Sequence, residues 1–178
     1  MFTEPLPNSL DVRKAATRGV SVSGTLKPLN LQRFRAILAT DDGSMQATLA
    51  FSKDEENRYL IQVSVSADVS ITCQRCLEPM PVHLETDNLL AVVWNDEYAS
   101  ELPRYLEPLI VAEEPCNIWE LVEEELILGM PAFSYHAAQD CNEIFNGISQ
   151  PLPDEPEDGG KPNPFNVLAQ LKPGNKKH

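Results

Sequence analysis

Tyr59-Leu60-Ile61-Gln62-Val63-Ser64-Val65-Ser66-Ala67-Asp68-Val69-Ser70-Ile71-Thr72-Cys73 is the stretch on which the fold turns. Apolar side chains occupy every second position, and the residues between them are polar apart from Leu60. An amphipathic helix repeats about every 3.6 residues, so a period of two held this long requires a strand with one buried face. Residues 82–94 are again rich in β-formers, and only a short connection separates the two segments. The pattern predicts a long antiparallel hairpin with Cys73 to Pro81 at its tip.

Towards the N-terminus, the first ten residues read as an extended arm. Val20, Val22 and Leu26 alternate with Ser21, Ser23 and Thr25, which predicts a short strand with a bulge at Gly24. Pro28 closes it. Asn30 then stands where it would cap a helix near 30–39, with Leu31, Phe34, Ile37 and Leu38 on one face and Arg33 and Arg35 turned away. Asp41-Asp42-Gly43 reads as a turn, and Met45, Ala47, Leu49 and Phe51 alternate as a further strand.

Beyond Trp94 the chain becomes acidic and proline-marked, with Leu109-Ile110-Val111 as an edge strand. Asn117, followed three residues later by Glu120, has the form of a capping box. The helix it opens, near 117–128, carries Ile118, Leu121, Val122 and Leu126 as its apolar stripe and turns Glu120, Glu123 and Glu124 outward. Gly129 and Pro131 end it. Residues 150–164 hold five prolines and two glycines and read as a linker. Phe165, Leu168 and Leu171 then mark a short amphipathic segment ahead of a basic tail. No internal repeat is present.

The fold class that results is α+β, with one domain over residues 1–149. Its sheet is curved, antiparallel and barrel-like, built on the 59–94 hairpin. Two main helices pack beside it, and a short C-terminal helical segment over 165–178 follows the 150–164 linker. At 178 residues, with 42% hydrophobic residues, the chain is long enough to bury a core without disulfides. The longest apolar run, Leu89 to Trp94, is far short of the roughly 18 residues that a membrane span requires. Glu4, Pro5 and Pro7 stand where a signal peptide would need a basic flank and an apolar run. A cytoplasmic protein with no membrane partner is expected.

Fourteen Lys and Arg against twenty-seven Asp and Glu give 14 − 27 = −13. Such a chain is a poor general ligand for phosphate backbones, whose affinity comes from counterions displaced by cations, and no DNA partner is expected. The charge is unevenly spread. Residues 13–35 hold six basic residues and no acid, whereas residues 96–125 hold ten acids and only Arg104. One end could touch an anion while the middle would repel it.

Four cysteines remain to be placed. Cys73-Gln74-Arg75-Cys76 is a C-x-x-C pair at the hairpin tip, and His136 with Cys141 supplies two further ligands about sixty residues on. Thiolates at this spacing in a tight turn can face one tetrahedral ion, so Cys73, Cys76, His136 and Cys141 form a candidate structural zinc site. Two other readings stand beside it: cysteines packed as small hydrophobes, and a redox pair. Pro79 and Pro81 argue against the redox pair, since they leave no room for the helix such a pair uses to lower a thiol pKa. Cys116 reads as packed and His83 as a half-exposed strand position. The sequence contains no Gly-rich phosphate loop, no G-x-S-x-G and no H-E-x-x-H. Glu123, Glu124 and Glu125 are adjacent and spread around a helix instead of pairing, so a non-enzyme is predicted.

The run Cys73-Gln74-Arg75-Cys76-Leu77-Glu78-Pro79, the acidic helix ending near Pro131, His136 with Cys141, and Lys161-Pro162-Asn163-Pro164-Phe165-x-x-Leu168 together resemble the YceD family. The resemblance runs from about Leu6 to Lys172. It implies a small cytoplasmic factor of ribosome biogenesis needed for accumulation of large-subunit (23S) rRNA, with no enzymatic activity. Two modes of action follow as expectations. In the first, Arg13, Lys14, Arg18, Arg33, Arg35 and Arg75 contact phosphates of 23S rRNA or a large-subunit precursor. In the second, Glu113, Glu114, Glu120, Glu123 and Glu124 hold a basic ribosomal or rRNA-processing protein. The alternative is a catalytic role in rRNA maturation through the C-x-x-C pair, as a zinc or redox centre.

Overall fold

A computed structural model describes residues 4–111, 115–137 and 140–141. The elements, in chain order, are β1 (Ser9–Leu10), α1 (Val12–Arg18), β2 (Ser21–Leu26), a 3-10 turn (Pro28–Asn30), α2 (Gln32–Arg35), β3 (Leu38–Lys53), β4 (Tyr59–Thr72), β5 (Pro79–Val93), α3 (Asp96–Ser100), β6 (Glu107–Ile110), β7 (Cys116–Asn117) and α4 (Ile118–Leu128). The predicted linker and C-terminal segment lie outside the described residues.

The period-two stretch is β4, at the centre of a five-stranded sheet in the order β2-β3-β4-β5-β6. Ile61, Val63, Val65, Ala67, Val69 and Ile71 are all buried, while Asp68 and Thr72 are exposed. The predicted hairpin is present: β4 and β5 pair without interruption from Tyr59↔Val92 to Thr72↔Pro79. Met45, Ala47, Leu49 and Phe51 of β3 are buried in the same core as Val12, Ala15 and Ala16 of α1, Phe34 of α2, and Ile118, Leu121, Val122 and Leu126 of α4. Slipping any of these strands by one residue would send its whole apolar set to the other face, so burial itself holds the register.

Several expectations are corrected. The sheet is open and not barrel-like, because β2 and β6 lie at opposite edges and do not pair. Nor is it wholly antiparallel. After β5 the chain crosses through α3 and returns in the same direction, so β6 runs parallel to β5, from Leu90↔Glu107 to Val93↔Ile110. Asp41-Asp42-Gly43 is not a turn but part of an irregularity inside β3. The register passes from Leu38↔Ile71 to Gly43↔Val69, setting residues 39–42 opposite Ser70 alone, and Arg35 clamps the bulged chain through both oxygens of Asp41 at 2.6 Å.

The helix expected over 30–39 is a single turn. Asn30 does not cap it; its side chain accepts from the Lys27 N–H at 2.9 Å and closes the preceding 3-10 turn. The first N–H groups of α2 are taken up by the Glu123 carboxylate of α4, from Arg33 at 2.7 Å and from Phe34 at 3.1 Å. Glu123 is therefore buried and does not point outward as its helix position suggested. Glu125 is buried too, accepting from the Asn88 amide. Asn117 caps α4 as expected, through bonds from Trp119 N at 3.1 Å and Glu120 N at 3.3 Å.

Helix α1 is an element the sequence reading passed over, although Asp11 accepts from Lys14 N at its start and Gly19 closes it at φ 62°. Gly24 makes no bulge, since Ser23↔Thr48, Gly24↔Ala47 and Thr25↔Gln46 run in unbroken register. Its lack of a side chain serves another purpose. Residues 4–6 lie along the outer edge of β2, with Leu6 N bonded to Thr25 O at 3.1 Å and Thr25 N to Glu4 O at 2.9 Å. A Cβ on Gly24 would stand 2.5 Å from the Leu6 nitrogen, against backbone that has nowhere to go. Gly24→Ala is expected to lower unfolding stability by about 1–3 kcal/mol in a urea titration, with faster amide exchange at Leu6 and Thr25.

Candidate metal centre and charged surfaces

Beyond the Thr72↔Pro79 pair the hairpin turns through Cys73 to Glu78. The loop is closed by Cys73 N to Glu78 O and Leu77 N to Cys73 O, both at 2.9 Å. Leu77 sits at φ 63°, a left-handed conformation that a branched residue adopts at a cost of about 1–2 kcal/mol. Gln74 N donates to Ser134 O at 2.8 Å, which lays the segment after α4 against the loop and delivers His136 and Cys141 to it.

The four predicted ligands converge. One donor atom each from Cys73, Cys76, His136 and Cys141 lies within 4.8 Å of all the others. The Cys73 and Cys141 sulfurs are 4.0 Å apart, and Cys76 Sγ is 3.3 Å from His136 Nδ1. A tetrahedral ion with thiolate ligands at about 2.3 Å sets its sulfurs about 3.8 Å apart, so the cluster has the dimensions of such a site. His136 Nε2 faces the Pro79 carbonyl at 3.2 Å. A carbonyl only accepts, so Nε2 carries the proton and the Nδ1 lone pair is left facing the sulfurs, the orienting contact that metal-bound histidines use.

The electrostatics suit a thiolate cluster. Burial pushes the Cys73 thiol up, but hydrogen bonds from the backbone N–H groups of Cys76, His136 and Arg75 and from the Cys76 side chain outweigh it and bring the value down to about 5. His136 is raised, chiefly by its bond to Cys76. Cys141 is raised by burial and by the neighbouring Cys76 and Cys73 sulfurs. These residues therefore form a Cys₃His cluster able to hold a metal ion. Cys116 is not part of it; it lies in β7, opposite Leu10. His83 lies on the exposed face of β5, 2.8 Å from Asp68, which with Glu85 holds its imidazole above the usual range.

Most of the predicted phosphate-binding cations are engaged inside the molecule. Arg33 is bonded to Glu123 and Glu124, Arg35 to Asp41, and Lys14 to Asp11 at 2.7 Å. The Arg13 guanidinium lies 3.6 Å over the Trp94 ring. Arg18 is exposed at the end of α1. Arg75 lies in the loop between Cys73 and Cys76, its guanidinium 5.4 Å from the Tyr135 ring, and Leu77 and Phe133 are also exposed. The acidic set is also divided. Glu113 and Glu114 lie outside the described residues. Glu123 is committed to α2 and Glu124 to Arg33, whereas Glu120 lines an open groove of about 1080 Å³ between β6 and α4. Glu107, Glu125 and Trp119 line the same groove and escaped the sequence reading. Glu107 could have been found from its place at the start of an edge strand, but the burial of Glu125 depends on Asn88, which no local pattern announces. Among the described residues no helix is long and apolar enough to cross a membrane.

The sequence profile of the family described as "Large ribosomal RNA subunit accumulation protein YceD" matches residues 61–172. A protein of that name from Haemophilus influenzae is 32% identical over 173 residues, covering 94% of this chain and 96% of the relative. The chain belongs to the YceD family. No solved structure matches it significantly.

Cobalt(II) added to the metal-free protein is expected to bind one ion per chain with tetrahedral thiolate absorption bands. His136→Asn and Cys141→Ser should abolish the spectrum and Cys116→Ser should leave it intact. Affinity should fall as pH drops from about 8 to about 6, because protons compete for His136 and Cys141, both of which hold them more tightly than usual. Glu123→Ala strands the Arg33 and Phe34 N–H groups and should cost about 1–3 kcal/mol in denaturant unfolding.

Proposed function

We propose that this protein is a non-enzymatic, cytoplasmic factor of large-subunit biogenesis that promotes accumulation of 23S rRNA by holding a basic ribosomal or rRNA-processing protein. The family membership and the relative's name support the biological role. The observation that carries the mode of action is the distribution of charge. Arg33, Arg35 and Lys14 are already paired with carboxylates, while the groove between β6 and α4 is lined by Glu107, Glu120, Glu123, Glu124 and Glu125. Such a surface attracts a cationic protein and repels a phosphate backbone.

A structural zinc belongs to this reading. Cys73, Cys76, His136 and Cys141 would hold it, and four protein ligands leave no open position for a reactive water. When bound, the ion supplies closure, tying the hairpin tip to the segment after α4. The redox alternative gains no support from the geometry: Cys73 is fully buried, out of reach of a substrate thiol or disulfide. Direct contact with rRNA is a second reading, favoured by one observation. Arg75, in the loop between Cys73 and Cys76, stands beside the exposed Tyr135 ring, and an aromatic face next to a guanidinium suits unpaired bases.

In cells lacking the protein, the wild type should restore the ratio of 23S to 16S rRNA, and Glu107→Lys combined with Glu120→Lys should not. Purified protein should retain basic proteins extracted from large subunits, release them as salt rises, and lose them in the doubly reversed variant. Retention of rRNA alone, unaffected by that charge reversal, would refute the acidic-face reading and favour the contact around Arg75. Elemental analysis should find one zinc per chain.

A further inference from the structure

The two edges of the main sheet are treated differently. The outer edge of β2 is covered by the arm at residues 4–6, through the bonds between Leu6 and Thr25 and between Thr25 and Glu4. At the other edge, among the described residues, no strand pairs with the outer side of β6. Val111 N donates inward to Val93 O at 2.8 Å. Backbone groups along a strand alternate in direction, so those of Leu109 also face β5 while those of Pro108 and Ile110 face out. Pro108 has no N–H to leave unpaired there. What the edge offers is the Ile110 N–H and the carbonyls of Ile110 and Pro108.

That edge forms one wall of the groove of about 1080 Å³, with Trp119 and Glu120 of α4 opposite. Arg33 is the one cation among its described lining residues, and its guanidinium is already bound by Glu123 and Glu124. A second copy of the chain pairing edge to edge would bring Glu107 and its neighbours against their own counterparts, an arrangement of like charges. A cationic segment meets no such penalty.

We propose that β6 receives an extended, lysine- or arginine-rich segment of a partner protein as an added strand, hydrogen-bonded to Ile110 and Pro108 and held by Glu107 and Glu120. The proposal rests on the acidic-face reading above and specifies its partner: a flexible basic tail, recognised by main-chain pairing with charge setting the encounter. Strand addition of this kind reads backbone more than side chains, so the bound tail needs alternating cations and no fixed motif.

The probes are a short peptide alternating lysine and valine and its fully N-methylated counterpart, which has the same charge but no backbone donors. Each is titrated into the full-length protein while amide exchange is followed. The methylated peptide is expected to bind about tenfold or more weakly, the loss of the two hydrogen bonds that the Pro108 and Ile110 carbonyls would accept. The Ile110 amide should slow about tenfold at saturation with the first peptide only. Ile110→Pro, which removes the outward donor and spares the ladder to β5, should weaken the unmethylated peptide comparably while the circular dichroism stays unchanged. Equal binding of both peptides with no protection at Ile110 would overturn strand addition and leave the acidic-face reading standing. No binding at low salt, together with no effect of Glu107→Gln and Glu120→Gln on capture of large-subunit proteins, would overturn both. Concentration-dependent protection of Ile110 without peptide would show the occupant to be a second copy and overturn the proposal.

Discussion

The buried face of β4 is the constraint from which the rest of the molecule follows. Six successive odd-numbered residues from Ile61 to Ile71 are shut away from water, and the strand has neighbours on both sides over almost its whole length. A strand so placed has one register compatible with burial. That register fixes where the chain must turn back, and so where Cys73 and Cys76 stand. It also fixes the direction of β5, from which the parallel return of β6 and the groove beside it derive.

The C-x-x-C pair alone would be an ambiguous feature. What gives it chemical meaning is the arrival of His136 and Cys141 from the far side of α4, guided by the Gln74 to Ser134 hydrogen bond and oriented by the Pro79 carbonyl. Two contacts to backbone carbonyls thus converge on one cluster, whose loop also holds the left-handed Leu77. That leucine, between Cys76 and Pro79, marks the turn that carries two of the four residues.

The elements written in local periodicity were legible in the sequence: β4, its partner β5, the alternating part of β3, and α4 with its Asn117 cap. The grouping of Cys73, Cys76, His136 and Cys141 was legible as well, because residue type and spacing single out these four before their geometry is known. The failures share a physical cause. Helix α2 is capped by a carboxylate about ninety residues away, so neither its length nor the burial of Glu123 is encoded nearby. Glycine 24 announced a bulge by local rule, yet serves the close passage of Leu6. The basic stretch at 13–35 read as unpaired charge, but pairing of Arg33 with Glu123 and Glu124 is a tertiary event that composition does not reveal.

The N-terminal arm has a further implication, for the order in which the chain folds. Ser9 and Leu10 pair with Asn117 and Cys116, and the Trp119 indole donates to the Leu6 carbonyl, so residues 6–10 are completed by residues more than a hundred positions on. The hairpins β2–β3–β4–β5 need only neighbours in sequence and are free to form early during translation. The β1–β7 pairing must wait until more than a hundred further residues have been synthesised. A nascent chain halted before β7 would hold most of its central sheet while α2 lacked its cap and β1 its partner, which makes the β1–β7 pairing and the docking of α4 late steps of assembly.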